Sequence, residues 1–144
     1  MKHTTFKSLG FNTLLCKALA EEGCHQPTPI QQQAIPLVLQ GKDVVGIAPT
    51  GTGKTVAYVT PLLKCLSHAQ EPGPRALIIV PTKELVLQQY EVITKLAQYT
   101  DLRVAGLYGG VGVRDQLTAL TAGVDLVITT PGRLLELYQR GGLS

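Results

Sequence analysis

Hydrophobic and polar positions along this chain follow two rhythms. In residues 12–22, Leu15, Ala18, Leu19 and Glu22 recur at helical spacing, with Asn12 placed to cap the start and Gly23 to stop the end. A second helical run opens after Thr28, with Pro29 at its first position and Ile30, Ala34, Leu37 and Val38 on one apolar face. Thr28 and Gln31 stand at the spacing of a capping box. Further amphipathic runs cover about residues 53–67, 83–99, 114–121 and 132–140, and Pro61 is expected to bend the first of them. Between these lie short runs that are apolar on both faces, at residues 43–47, 76–80, 104–107 and 125–128. Strands of that kind alternating with helices predict an α/β fold with a parallel sheet flanked by helices. Residues 1–41 then form N-terminal helices and residues 42–144 a sheet-bearing domain, the whole making one structural unit.

Composition narrows the picture modestly. A chain of 144 residues, 44% hydrophobic and with mean hydropathy +0.17, can build a core of one domain. The net charge of +3 permits a polyanionic partner without requiring one. Cys16, Cys24 and Cys65 lack metal-ligand spacing, and His3, His25 and His68 form no helical pair, so free thiols in a reducing cytoplasm are expected. No apolar leader opens the sequence and no run approaches a membrane span. No Ser-His-Asp set, carboxylate pair or metal cluster stands out.

The chemistry concentrates directly after the first apolar run, in Ala48, Pro49, Thr50, Gly51, Thr52, Gly53, Lys54 and Thr55. Two glycines one residue apart let successive backbone N–H groups turn toward one anion, and a helix starting there adds its N-terminal N–H groups and dipole. Lys54 supplies a mobile charge for outer phosphates, and the Thr55 hydroxyl is a hard oxygen ligand suited to Mg²⁺. The general pattern G-x-x-x-x-G-K-[ST] wants glycine where Ala48 stands.

In a parallel sheet the loops after the strand carboxyl ends form the ligand edge. Three more loops are expected there: Pro81, Thr82, Lys83 and Glu84; Gly109 and Gly110; and Thr130, Pro131, Gly132 and Arg133. Each offers helix N-termini, hydroxyls, cations or glycines that suit phosphates.

Taken in order, these motifs resemble the DEAD-box ATP-dependent RNA helicases over nearly the whole chain. Residues 23–31, G-C-H-Q-P-T-P-I-Q, are similar to the Q motif, with Phe6 lying 17 residues before Gly23 as the family's isolated aromatic does. A-P-T-G-T-G-K-T is similar to motif I in that family's form, residues 81–88, P-T-K-E-L-V-L-Q, to motif Ia, Gly109-Gly110 to the GG motif and T-P-G-R-L to motif Ib. The run Q-Q-Q-A-I-P resembles the bacterial RhlE-type branch. The resemblance implies the first part of a RecA-like, P-loop domain that binds ATP and Mg²⁺, and a second RecA-like domain as partner. It also implies that Phe6 stacks on adenine, that Gln31 reads its edge, and that Lys54 and Thr55 serve phosphates and Mg²⁺. The other three loops would hold single-stranded or short duplex RNA by its sugar-phosphate backbone.

The chain departs from the pattern in places. Lys83 stands where the family usually has arginine, keeping the charge but losing the planar fork. Val86 replaces an alanine, and Pro49 replaces a polar residue. The sequence reaches Ser144 without D-E-A-D or S-A-T. The expectation is therefore a nucleotide- and RNA-binding piece that does not hydrolyse ATP by itself, that exposes apolar strand edges and that is marginally stable. Plainer roles stand beside these: Gln31 as a cap, Phe6 as core, Glu84 as a first-turn acid and Arg133 as a solvated helix residue. The rival functions are a non-catalytic RNA- or nucleotide-binding module or remnant and another phosphate-loop enzyme such as a nucleotide kinase.

Overall fold

A computed structural model describes residues 3–71 and 73–143. Met1, Lys2, Pro72 and Ser144, which the expected units 1–41 and 42–144 include, lie outside the described residues. The element order is α1 (Thr13–Glu21), α2 (Pro29–Leu39), α3 (Lys54–Leu66), β1 (Ala76–Ile79), α4 (Lys83–Leu96), β2 (Val104–Leu107), α5 (Val113–Ala122), β3 (Leu126–Thr129) and α6 (Pro131–Gln139). Two compact units divide the chain: Met1–Cys65 with Lys95–Tyr99, and Leu66–Thr94 with Thr100–Ser144.

The first unit is helical. The Asn12 side chain accepts from the Leu15 N–H at 2.8 Å and starts α1, as its spacing predicts. Leu15, Ala18 and Leu19 of α1, Ile35 of α2 and Val59 and Leu63 of α3 are buried, together with Phe6 and Phe11. Tyr99 donates its hydroxyl to Glu21 at 2.6 Å, while the Lys17 ammonium lies 4.7 Å from the Tyr99 ring, so a pair of charges on α1 holds this aromatic. Lys64 donates to the Gly10 carbonyl at 2.7 Å.

The second unit holds a three-stranded parallel sheet in the order β1-β3-β2. Leu126 of β3 stands opposite both Ala76 of β1 and Val104 of β2, so the strands start level. All four β3 residues are fully buried, which explains why this run is apolar on both faces. Leu107, Val124, Val127 and Leu137 form a cluster flanked by Val113, Leu117 and Leu120 of α5. On β2 the absence of a side chain at Gly106 admits α4: an ideal Cβ there would lie 3.2 Å from Val86 Cγ1 and 3.5 Å from the Tyr90 ring.

One carboxylate ties the starts of all three strands together. Asp125, directly before β3, accepts from the Arg103 N–H at 2.9 Å and Arg103 Nε at 3.1 Å before β2, and from the Arg75 guanidinium at 3.0 Å before β1. The Gln70 N–H adds a further bond at 3.0 Å. Burial alone would push this carboxyl up, but the bonds from Arg103, Gln70 and Arg75 more than offset it and hold it well below the usual carboxylate range.

The expected first strand is the clear departure. Residues 43–47 form no strand among the described residues, and Val45 and Ile47 are 88% and 89% exposed. Ladder hydrogen bonds come from a neighbouring strand, and none pairs with this run, so its apolar pattern alone cannot make it a strand. The boundary expected near residue 41 falls inside the first unit, because α2 is bonded to the loop that follows residues 43–47. On β1, Leu77 and Ile79 are 47% and 52% exposed, so one face of this strand is bare and apolar.

Candidate nucleotide loop and polynucleotide edge

The loop formed by Ala48, Pro49, Thr50, Gly51, Thr52, Gly53, Lys54 and Thr55 is built by bonds among its own groups. Gly51 and Gly53 take φ +78° and +87°, conformations that L side chains rarely adopt, and α3 begins immediately after at Lys54. The Thr52 hydroxyl donates to the Pro49 carbonyl at 2.6 Å, and the Lys54 ammonium folds back to the Ala48 carbonyl at 2.6 Å. Thr55 is hydrogen-bonded to Tyr58, whose phenol burial raises its pKa against that bond.

Helix α2 reaches the same loop through its capping residues. Gln31 Oε1 accepts from the Thr28 N–H at 2.9 Å within the expected capping box, while Gln31 Nε2 donates to the Gly53 carbonyl at 3.0 Å. The Thr28 hydroxyl donates to the Thr52 carbonyl at 2.7 Å. A side chain at Gly53 would strike the Gln31 amide, so the glycine is needed for this close approach as well as for its φ. Thr28 was legible only as a cap; its bond to Thr52 joins positions far apart in sequence.

The residues present fit a magnesium–nucleotide group in their chemistry. The N-terminus of α3, one cation and one hydroxyl converge on the loop, and an added Cβ at Gly51 meets no atom within 4 Å, which leaves that side open to a ligand. Lys54 must leave the Ala48 carbonyl to serve an outer phosphate, and Gln31 must exchange its two internal bonds to read a base. Phe6 is only 4% exposed and packs in the helical unit, so in this arrangement its ring is core rather than an open stacking face.

In the second unit, parallel strands bring three of the four expected loops to one edge of the sheet. After β1 come Pro81 and Thr82, with Thr82 Oγ1 accepting from the Leu85 N–H at 3.3 Å and Lys83 and Glu84 in the first turn of α4. After β2 come Tyr108, Gly109 and Gly110, and both glycines border open space. After β3, Thr130 caps α6 by position, with Pro131 at its start, Gly132 open to solvent and Arg133 behind. The Lys83 ammonium lies 5.3 Å from the Tyr108 ring centroid, a contact that ties the first loop to the second. The fourth loop, at residues 48–55, belongs to the helical unit, since the run before it is not part of this sheet.

Arg133 sits differently from a solvated helix residue, being 9% exposed. Its guanidinium donates to Gln116 Oε1 at 3.1 Å and to the Val111 carbonyl at 3.2 Å, with the Glu136 carboxylate 3.4 Å from Nε. Gln116, 7% exposed on α5, donates its own Nε2 to the Tyr108 carbonyl at 3.0 Å. Sequence reading passed over Gln116, because one glutamine in V-R-D-Q-L-T-A-L-T-A reads as a polar helix position.

Residues 28–144 match the DEAD/DEAH box helicase family. The chain belongs to this family. It is 45% identical over 140 residues to the ATP-dependent RNA helicase DBP10 of Phaeosphaeria nodorum, covering 96% of this chain and 16% of that protein. It is 43% identical over 144 residues to DEAD-box ATP-dependent RNA helicase 24 of Oryza sativa subsp. japonica, covering 97% of this chain and 19% of that protein. Among solved structures it resembles a hypothetical ATP-dependent RNA helicase from Sulfolobus tokodaii, with TM-score 0.82 and 38% identity over 92% of this chain and 38% of that one. This DEAD-box chain therefore spans less than one fifth of these curated relatives. The expected RhlE-type branch finds no support, since the relatives are DBP10 helicases and a rice helicase. The run behind that reading serves helix construction: Gln31 caps α2, Gln32 donates to the Pro27 carbonyl at 2.9 Å, and Ala34 and Ile35 are buried. Among the described residues no helix is long and apolar enough to cross a membrane, and Cys16, Cys24 and Cys65 are free thiols.

Proposed function

We propose that this chain is the ATP- and RNA-binding N-terminal portion of a DEAD-box RNA helicase of DBP10-like kind, in a protein that couples ATP binding and hydrolysis to RNA duplex unwinding. The observation that carries the reading is the pair of bonds from Thr28 and Gln31 to the carbonyls of Thr52 and Gly53, which lock the base-reading segment onto the phosphate loop. A phosphate loop alone is shared by many enzymes; one with a glutamine amide held beside it has a means to prefer adenine. Ala48, Pro49, Thr50, Gly51, Thr52 and Gly53 shape the phosphate cradle, Lys54 neutralises outer phosphates, and Thr55 offers a ligand to Mg²⁺. Mg²⁺, when bound, supplies charge neutralisation at the phosphates. Phe6 takes a stacking role only if its segment turns out of the helical core.

The loops of Pro81, Thr82, Lys83 and Glu84, of Gly109 and Gly110, and of Thr130, Pro131 and Gly132 hold one RNA strand by its backbone, with a second RecA-like domain completing the grip. Open glycines and helix N-termini suit phosphates and sugars rather than base edges. A cytoplasmic location rests on the free thiols alone.

The test is displacement of a fluorescent ATP analogue from the purified chain by unlabelled nucleotides. ATP and ADP should compete, GTP should not, and Lys54→Ala should abolish binding. Equal competition by GTP, or phosphate transfer to nucleoside monophosphates, would turn the reading toward another phosphate-loop enzyme.

A further inference from the structure

We infer that Arg133 and Gln116 act as positioning residues that brace the Tyr108–Val111 loop for RNA, with Arg133 working from inside the protein and not as a phosphate contact. The inference rests on the RNA-binding reading of this edge and assigns Gln116 a role in it.

Three features converge on one loop. Gln116 spends its amide N–H on the Tyr108 carbonyl and its amide oxygen on the Arg133 guanidinium. Arg133 spends a second nitrogen on the Val111 carbonyl. The two carbonyls so held flank Gly109 and Gly110, which make no internal side-chain contact and border open space. Glycines carry more backbone freedom than other residues, and ordering an adjacent pair of them on a ligand costs free energy. Fixing both ends of the pair through buried donors removes part of that cost before RNA arrives. The bracing groups come from α5 and α6, so the loop after β2 is set by the helix after β3. The guanidinium fork matters here, because its separate nitrogens reach Gln116 and Val111 together, which a lysine ammonium on a single stem does less well.

The test separates bracing from phosphate contact and needs no RNA for its first arm. Backbone ¹⁵N relaxation on the RNA-free chain should show the Gly109, Gly110 and Val111 amides near rigid values of about 0.85 in wild type and falling below about 0.6 in Gln116→Ala, with β3 unchanged. Unchanged loop order in Gln116→Ala would overturn the inference. The second arm is filter binding of single-stranded oligouridylate across a salt series. Gln116→Ala, Arg133→Ala and Arg133→Lys should each weaken binding by roughly tenfold, with the double variant no worse than a single one and the salt slope unchanged. Near-normal binding by Arg133→Lys, together with a slope reduced by about one in Arg133→Ala, would make Arg133 a phosphate contact and sink the brace. If the wild-type chain binds no RNA, the RNA reading of the edge fails, while the relaxation arm still decides whether the loop is braced.

Discussion

Lys83 shows how a single residue is read through its neighbour. Its charge lies 5.3 Å from the Tyr108 ring, so part of its attraction is spent on the aromatic face. Arginine at this place would stack on the same ring and still present a fork to phosphate. Lys83→Arg is expected to tighten single-stranded RNA binding about threefold, within the range of one charge-assisted bond, measured by filter binding at fixed salt; weaker binding would show that the lysine is the better fit. Val86 is fully buried against Gly106. Gly106→Ala should destabilise the chain by about 1–3 kcal/mol through overpacking, and adding Val86→Ala should recover part of it. Denaturant midpoints decide this, and no recovery in the double variant would exclude the steric account.

At the scale of elements, the strands depend on one buried carboxylate. Asp125 gathers the segments before β1, β2 and β3, and removing one partner of such a buried pair costs on the order of 3–5 kcal/mol. Asp125→Asn should therefore lower the melting temperature strongly at neutral pH. The sign of the pH dependence follows from the depressed carboxyl: its stabilisation is fully present above the unfolded value of about 3.9 and drains away as pH falls through that value toward the folded one. Thermal melts from pH 6 to pH 2 should show a steep acid loss in wild type and a shallower one in Asp125→Asn. Parallel curves would mean that other carboxylates carry the acid response. Elements such as β2 and the cap of α1 were legible because their signals are local: a short apolar run and an asparagine three residues before an N–H. Residues 43–47 carry as strong an apolar run, yet among the described residues no strand pairs with them, and strand formation needs a pairing partner.

For the whole molecule, exposed apolar surface is the dominant feature. Leu77 and Ile79 of β1, with Leu135 and Tyr138 of α6, line an open groove of about 730 Å³, while Val45 and Ile47 stand bare in the helical unit. Surfaces of this kind promote association. The purified 144-residue chain should bind a hydrophobic dye and self-associate in light scattering, and a monomer with a sharp melt and no dye signal would contradict this. It should also release no phosphate from ATP in the presence of RNA, since its sequence contains no D-E-A-D acids to hold Mg²⁺ and orient water. RNA-stimulated release that Lys54→Ala abolishes would refute that expectation.

The sequence by itself determined what depends on residue order over a few positions: the helix caps, the apolar strands 76–80, 104–107 and 125–128, and the turn of Gly51 and Gly53 before Lys54. The family motifs belong with these, because each is a short run with its own local chemistry. Tertiary structure alone decided the roles that need distant partners. Gln31 is a cap in sequence and a clamp on Gly53 in space; Arg133 is a surface-looking cation in sequence and an internal brace in space; Gln116 carries no signal until α5 sets it between Tyr108 and Arg133. Hydrogen bonds between residues far apart in the chain leave no period or spacing to read, and for the same reason residues 43–47 read as a strand although among the described residues no strand pairs with them.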